Sequence, residues 1–179
     1  VKLQKRFFDF FLKGEKNGWD KQPKVVLQVR HPGEKFVERA ENEWPLARTQ
    51  WTNFYLDPKN KSLSTTPVTA DASITYETMG DGATFMTPPL EKDTEITGPI
   101  ALKLFVSSAT TNADIFAVVG VYDPQGKEVV FQGALDPHTP VAQGWLRASH
   151  RKPDAKLTLP YRPYHPHDED QPLKPGEVY

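Results

Sequence analysis

The distribution of proline limits what this chain can fold into more than any other feature of its sequence. The 179 residues include 17 prolines, and six of them fall between Pro153 and Pro175. Proline lacks a backbone N–H, so it interrupts long helices and central strands. We therefore expect few long helices, many loops, and an extended irregular arm over Pro153–Pro175 (the proline-rich arm) that lies on the protein surface.

Short runs of alternating or continuous apolar residues predict strands along the rest of the chain. The predicted strands are Lys24–Arg30, Trp51–Leu56, Ser73–Thr78, Ile100–Val106 and Ile115–Tyr122. The last of these is almost continuously apolar, which is typical of a strand covered on both sides. The turn sequence Asp123–Gly126 and the returning run Lys127–Gln132 predict a hairpin. The pattern as a whole indicates a mainly β fold, an antiparallel β-sandwich or jelly roll.

The chain opens with an amphipathic helix. Leu3, Phe7, Phe10 and Phe11 lie at helical spacing, and Gly14 stands where a C-terminal cap belongs. Because no capping residue precedes them, we expect the last turns of a helix whose beginning has been removed. A short amphipathic helix that simply starts here is the alternative. The last residues, Pro175–Tyr179, also look cut, as if a strand began there.

Composition excludes several classes of function. The 22 basic and 23 acidic residues give a net charge of −1, which does not favour a nucleic-acid-binding surface or a polybasic membrane surface. The chain contains no cysteine, so disulfides, thiolate catalysis and cysteine zinc sites are excluded. No run has transmembrane length. We expect no cofactor and no metal.

Two neighbouring segments, Gln143–Arg151 and Pro160–Asp168, concentrate aromatic, arginine and histidine side chains. Such side chains have an apolar body and a polar tip, so they build either buried polar interfaces or ligand contacts. We favour internal stitching of the proline-rich arm to the sandwich over a ligand contact. If the Trp145 indole is buried, Trp145→Ala should lower stability by roughly 3–5 kcal/mol. The candidate residues in these segments are Trp145, Arg147, His150, Arg151, Tyr161, Arg162, Tyr164 and His165.

Catalytic and metal-binding patterns are weak. No Gly-x-Ser-x-Gly elbow occurs, and Ser149 beside His150 is not a nucleophile–base pair if both lie on a strand, where neighbours face opposite ways. The run His165–Asp170 has metal-ligand composition, but a solvated turn is the better interpretation. Asp114 either begins its strand with an Asx turn or pairs with Arg147 or Arg151, and the sequence leaves both open.

Several long strings resemble one enzyme family. The chain is similar to cocaine-esterase-like (CocE/NonD) hydrolases, relatives of X-prolyl dipeptidyl-peptidase, where the last helix of an α/β-hydrolase domain passes into a C-terminal jelly roll. The strings with this resemblance are Phe7–Gly14, Val25–Val29, Glu43–Leu46, Phe54–Leu56, Thr87–Leu90, Glu95–Ile100, Val106–Ser108, Asp114–Phe116, Asp123–Gly126, Gly144–Arg151, Pro160–Tyr164 and Pro172–Glu177.

The resemblance implies a galactose-binding-like sandwich over 24–179, incomplete at its C-terminal end, preceded over 1–23 by a hydrolase-domain helix and linker. It implies a Ser-His-Asp triad that lies wholly outside this chain, and a catalytic domain of the same parent chain as partner, contacted by residues such as Phe7 and Phe11. A homo-oligomer is a further option. The segment between Ser64 and Phe85 looks shorter than the family's pocket-lining insertion.

We therefore expect the non-catalytic C-terminal β-sandwich of a serine hydrolase, an acyl esterase or X-Pro dipeptidyl-peptidase, that supports the catalytic domain and substrate access. The alternative is a free-standing jelly-roll module that binds carbohydrate or calcium. An autonomous enzyme with an unrecognised site has only the histidine-rich tail in its favour.

Overall fold

The computed structural model describes all residues from Val1 to Tyr179. The chain divides into two compact units. The first unit comprises Val1–Ala47, Pro99–Val121 and Glu128–Tyr179, and the second comprises Arg48–Gly98 and Tyr122–Lys127. None of the helices has the length and apolar composition that a membrane span requires.

Helix α1 (Lys2–Lys13) confirms the predicted amphipathic helix. It ends at Gly14, whose φ of 67° is the left-handed cap conformation that glycine adopts without steric cost. On the polar side, Asp9 is buried and pairs with both Lys5 and Lys13, four residues away in each direction. Hydrogen bonds from Lys13 and then Lys5 lower the pKa of Asp9, so this carboxylate is ionised at neutral pH.

Strands β1 (Val25–His31) and β2 (Lys35–Glu41) form an antiparallel hairpin in register from Val25↔Glu41 to His31↔Lys35. The predicted alternation is confirmed in β1, because every second side chain from Val25 to Val29 is half-buried. The Arg30 guanidinium lies 5.1 Å from the ring centroid of Phe131, which is 4% exposed. The hairpin therefore packs on one of the few buried apolar side chains.

The second unit contains one short antiparallel pair, β3 (Tyr55–Asp57) with β4 (Ser62–Ser64). The strand predicted over Trp51–Leu56 is thus shorter and displaced toward its end. The intervening turn matches the sequence signal, because the Asp57 carboxylate accepts hydrogen bonds from the backbone N–H groups of Lys59 and Asn60 at 2.9 and 3.3 Å.

In the first unit, β5 (Asp114–Val119) pairs antiparallel with the distant β8 (Ala142–Arg147). The predicted hairpin is formed only by the short strands β6 (Val121–Tyr122) and β7 (Glu128–Val129). The prediction that this apolar segment is covered on both sides is wrong. Alternate side chains of β5 are exposed, so only one face of the strand is half-buried.

Two predicted strands are absent. Ser73–Thr78 and Ile100–Val106 have no strand pairing over their lengths, although Val106 exchanges two backbone hydrogen bonds with Tyr179 at 2.8 Å. Alternating apolarity favours a strand but does not supply the neighbour that a sheet requires. The proline-rich arm is irregular, as predicted, with turns and one isolated bridge between Leu159 and Arg162.

The architecture is mainly β, with antiparallel sheets and one α-helix, and agrees with the predicted β-sandwich class. The finer galactose-binding-like topology stays a prediction. Buried apolar side chains are few: Leu46, Phe131, Ala148 and Leu173.

We predict that Leu173→Ala lowers the free energy of unfolding by about 2–4 kcal/mol, because it leaves a cavity at a site that is 2% exposed. Chemical denaturation of the protein that carries the chain measures this. Leu157→Ala is the matched control, since Leu157 is 51% exposed and its truncation should cost less than about 1 kcal/mol. Equal losses for the two variants would contradict the burial described here.

Candidate functional site

An open depression of about 490 Å³ lies where the end of the β5–β8 sheet, the following turn and the proline-rich arm meet. The turn is a single 3₁₀ turn, Ala148–His150, that directly continues β8. The depression is lined by side chains of all three elements, and those with polar or aromatic groups are Asp114, Phe116, Trp145, Arg147, His150, Tyr164, His165 and His167.

A bidentate ion pair closes one side of the depression. Asp114 and Arg147 are directly opposite in the β5–β8 register, and Arg147 donates from Nε and Nη2 to the two carboxylate oxygens at 2.8 and 3.0 Å. The alternative left open by the sequence is thereby decided in favour of pairing with Arg147. These hydrogen bonds lower the pKa of Asp114 and raise that of Arg147, so both groups are charged at neutral pH.

Next to the ion pair, the outer side of the sheet carries an exposed aromatic face, defined by Phe116, Val118 and Trp145. Phe116 is paired with Trp145 in the register, and Val118 follows two residues later, so the three side chains share one face. They are 74%, 63% and 72% exposed. The condition for a large stability loss in Trp145→Ala, a buried indole, is therefore not met, because the indole lies on the uncovered face of a two-stranded sheet.

Ser149 is fully buried and cannot meet a substrate. Its Oγ accepts a hydrogen bond from Asn112 Nδ2 at 2.9 Å, and its backbone N–H donates to Asn112 Oδ1 at 3.1 Å. The argument against a Ser149–His150 pair assumed that both lie on a strand, whereas they lie in the 3₁₀ turn. The reason why they do not form a catalytic pair is thus burial of the serine and not strand alternation.

Arg151 joins the turn to the proline-rich arm. Its Nη1 donates to the carbonyl oxygens of Ala148, at 3.0 Å, and of Gln171. Its guanidinium also lies 4.4 Å from the ring centroid of Tyr179, within cation–π range. The neighbouring Lys152 binds Glu169 at 2.8 Å and Asp168 at 3.4 Å. The hydrogen bond that its ammonium donates to the Glu169 carboxylate is the main reason why the pKa of Lys152 is raised.

Three histidines gather at the rim formed by the arm. His150 Nδ1 lies 3.0 Å from His167 Nδ1, and the two ring centroids are 5.1 Å apart. His165 Nδ1 lies 3.2 Å from the carbonyl oxygen of Lys152, with its ring 6.4 Å from that of His167. No group of three or more histidine, aspartate or glutamate side chains in the chain is arranged to hold a metal ion.

The structure brings together five of the residues singled out by sequence. Trp145, Arg147, His150, Tyr164 and His165 all line the depression. Arg151 does not line the depression and instead joins the Ala148–His150 turn to the proline-rich arm. Tyr161 is half-buried, and the backbone of Arg162 bonds that of Leu159 in both directions at 2.9 and 3.0 Å.

Phe7 and Phe11 do not line the depression but belong to α1. They contact each other at a centroid distance of 4.7 Å, and Phe7 packs edge-on against Trp19 at 5.2 Å. With Leu3 and Phe8 they form an exposed phenylalanine face (Leu3, Phe7, Phe8 and Phe11) beside a shallow groove of about 270 Å³.

Sequence reasoning missed Asn112, Phe116 and His167 as members of this region. The signal for Asn112 was its position just before a strand that begins with Asp114, because an asparagine there can bond backbone and side-chain groups at once. Phe116 was attributed to a strand covered on both sides, and His167 to a solvated turn.

Comparison with known proteins identifies relatives over the whole chain. A family model described as the X-Pro dipeptidyl-peptidase C-terminal non-catalytic domain matches residues 17–179. Crystal structures of a CocE/NonD family hydrolase from Staphylococcus aureus match 99% of the chain with TM-scores of 0.89 and 0.88 at 31% identity. Two proteins described as candidate serine esterases, from Mycobacterium bovis and Mycobacterium tuberculosis, are 24% identical over 97% of the chain.

The chain spans only about a third of the length of these relatives. It covers 33% of the staphylococcal hydrolase and 31% of each mycobacterial protein. The part of the chain that the family model matches begins at residue 17, after the end of α1.

We predict that Arg147→Met raises the pKa of Asp114 toward its ordinary value of 3.8, since the variant removes both the hydrogen bonds and the positive charge. Because the pKa is lowered in the folded state, Asp114 contributes stability above pH 3.8 that is lost as the pH falls through the folded value. In Arg147→Met, the free energy of unfolding should no longer fall with the protonation of Asp114.

Carboxyl ¹³C titration by NMR measures the shift. Asp57 is the internal control, because its lowered pKa is caused by Asn60 and should not respond to the substitution. An Asp114 titration that is the same in both proteins would show that the ion pair does not form in solution.

Proposed function

Because the chain belongs to the family of X-Pro dipeptidyl-peptidase C-terminal non-catalytic domains, we propose that it is the accessory β-sandwich of a serine hydrolase, which it stabilises and whose substrate access it shapes. The parent activity we propose is hydrolysis of acyl esters or of peptides after Xaa-Pro. The staphylococcal relative is a hydrolase, and the mycobacterial ones are described as candidate serine esterases.

The observation that best supports this proposal is the amount of surface that the chain leaves uncovered. It exposes 14,901 Å². Two separate compact bodies with its total mass would expose only roughly 10,500 Å². The remaining roughly 4,400 Å² is several times the ~800 Å² that one partner buries in a standard interface. A self-contained binding module has no need of so much uncovered surface.

The phenylalanine face is the first surface that we assign to the catalytic domain. Phe8 and Phe11 are 52% and 59% exposed, and a cluster of such rings in water costs free energy that burial would recover. Helix α1 also precedes the part of the chain that the family model matches, which supports its assignment to the end of a hydrolase domain. Residues 17–23 fall within the match, so the match supports a boundary nearer residue 17 than residue 23.

The aromatic face is the second such surface. It presents Phe116 and Trp145 side by side next to the Asp114–Arg147 ion pair, the combination of aromatic anchors and charged rim found at protein interfaces. In this proposal Trp145, Arg147, Tyr164 and His165 contact or orient the catalytic domain, while His150, Arg151, Tyr161 and Arg162 hold the proline-rich arm in place.

A carbohydrate-binding module is the second candidate function, and the exposed indole of Trp145 favours it. Sugars stack on such rings, and the half-exposed Asp114 and Arg147 could bond hydroxyl groups. Calcium is less well supported, because Asp168 and Glu169 are both engaged by Lys152. Titration calorimetry with simple glycans and calcium distinguishes these functions: measurable heat that Trp145→Ala abolishes would favour the module, and the hydrolase proposal expects none.

We predict that the 179 residues alone hydrolyse neither p-nitrophenyl esters nor Xaa-Pro-nitroanilides, because the one candidate nucleophile, Ser149, is fully buried and bonded to Asn112. Labelling with a fluorophosphonate probe measures the presence of an activated serine. The Ser149→Ala variant is the control, and labelling that disappears in it would overturn the proposal.

We further predict that Trp145→Ala lowers the free energy of unfolding by different amounts in the isolated chain and in the protein that includes the catalytic domain. In the isolated chain the loss of stability should be below about 1 kcal/mol, since the side chain is 72% exposed. In the protein that includes the catalytic domain, loss of an aromatic interface anchor should cost about 2–4 kcal/mol. Denaturation of both proteins measures this difference.

Leu135→Ala is the control for that comparison, because Leu135 is fully exposed and lies outside both faces. It should cost little in either protein. If Trp145→Ala were equally mild in both, the aromatic face would not be an interface with the catalytic domain.

A further inference from the structure

His150 and His167 can hydrogen-bond to each other only in particular protonation states. Nδ1 faces Nδ1 at 3.0 Å, in the range of an N–H···N hydrogen bond, with the two rings inclined at 63°. A neutral imidazole carries a proton on one nitrogen and a lone pair on the other. The bond therefore requires one Nδ1 that is protonated and one that is not.

We propose that His150 and His167 form a proton-dependent latch that holds the proline-rich arm against the Ala148–His150 turn and opens when both imidazoles are protonated. With two protonated rings, both Nδ1 atoms are donors and neither accepts. Two positive charges would also face each other across 3.0 Å. Imidazole is the side chain that ordinarily changes charge between about pH 5 and 8, so mild acid is the expected trigger.

The backbone of the arm supports a latch with two states. His167 has a φ of 55°, in the left-handed region that residues other than glycine seldom occupy. Such a conformation costs of order 1 kcal/mol and persists where surrounding contacts maintain it. Loss of the bond to His150 would remove one of those contacts and allow His167 to relax.

Few negative charges around the pair are free to compensate a second proton. Asp114 is bonded to Arg147, and Asp168 and Glu169 are bonded to Lys152. The other charged or titratable groups of the surrounding elements are Arg151, which faces carbonyl oxygens and the Tyr179 ring, His165, and Asp170, which acts on Arg147 through space.

The arm has backbone reporters on both sides of the latch. The Gln171 N–H donates to the Ser149 carbonyl at 2.8 Å, and the Asp154 N–H donates to the Tyr164 carbonyl at 2.9 Å. If the latch opens, the Gln171 amide should lose protection, because it is four residues from His167 and bonded to the residue before His150. Ser149 itself stays anchored by Asn112.

The test is hydrogen exchange of the Gln171 amide between pH 8 and pH 5 in the protein that carries the chain, corrected for the intrinsic effect of pH. We expect protection to fall about tenfold as the latch opens, the effect of losing roughly one hydrogen bond. His167→Ala should give the low protection at every pH. His31→Ala and His138→Ala alter histidines outside the latch. In these variants the protection of the Gln171 amide should still fall between pH 8 and pH 5.

Histidine ¹⁵N spectra at pH 8 supply a second readout that does not depend on arm opening. One ring of the pair should be protonated at Nδ1 and the other not. Each of three results would overturn the latch. The first is that neither ring has an Nδ1 proton at pH 8. The second is that protection of the Gln171 amide is the same at pH 8 and pH 5, and the third is that protection still falls with acid in His167→Ala. Loss of the contact on adding EDTA would also overturn the latch, since a bridging metal ion would then join the rings.

Discussion

The reciprocal hydrogen bonds between Asn112 and Ser149 are the interaction on which the rest of the candidate site depends. The amide of Asn112 donates to Ser149 Oγ and accepts from the Ser149 backbone N–H, across 37 residues of sequence. They fasten Asn112, two residues before β5, to the turn after β8. The Ser149 carbonyl then accepts the Gln171 N–H of the arm. Buried polar groups must be satisfied in this way, since an unpaired one costs about 1–3 kcal/mol.

This polar anchor matters more here because the apolar core is small. Only four apolar residues are buried, while large side chains such as Phe11, Phe116 and Trp145 are more than half exposed. Within the first unit, ion pairs and side-chain-to-backbone bonds therefore fix positions that apolar packing would fix in a more buried domain. An accessory domain that is stabilised by a catalytic partner would have this character, because its best apolar surfaces would be reserved for the interface.

The sequence predicts local structure well where the signal is local. The Phe-rich helix with its Gly14 cap, the first strand and the Asp57 turn depend on spacing and turn chemistry within a few residues, and the structure has all three. The mainly β class follows from the same kind of signal. The resemblance to a hydrolase family, based on long strings, identified the family to which the chain belongs.

What the sequence could not predict depends on partners distant along the chain. β5 pairs with β8 and not with the run that follows its turn, so the outer positions of β5 are uncovered in spite of their apolar character. Ile100–Val106 has the alternation of a strand and lacks a paired neighbour over most of its length. Whether Trp145 is buried is decided by what covers the sheet, and periodicity within one strand contains no information about that.

The density of polar and aromatic side chains around Trp145 and His165 resembles an active site. The polar groups of the region, however, bond to neighbouring segments of the chain and hold them together. A nucleophile needs an exposed oxygen and a base that can take its proton. Here the serine oxygen is occupied by Asn112, and the nearest histidine bonds another histidine. Arg147, Arg151 and Lys152 are likewise bound to carboxylates or carbonyls of neighbouring segments. The bond of the histidine pair, by contrast, requires that one of the two facing nitrogens is protonated and the other is not. Contacts between permanently charged groups would not change in mild acid. The contact between the turn and the arm can respond to mild acid because it is made by two imidazoles.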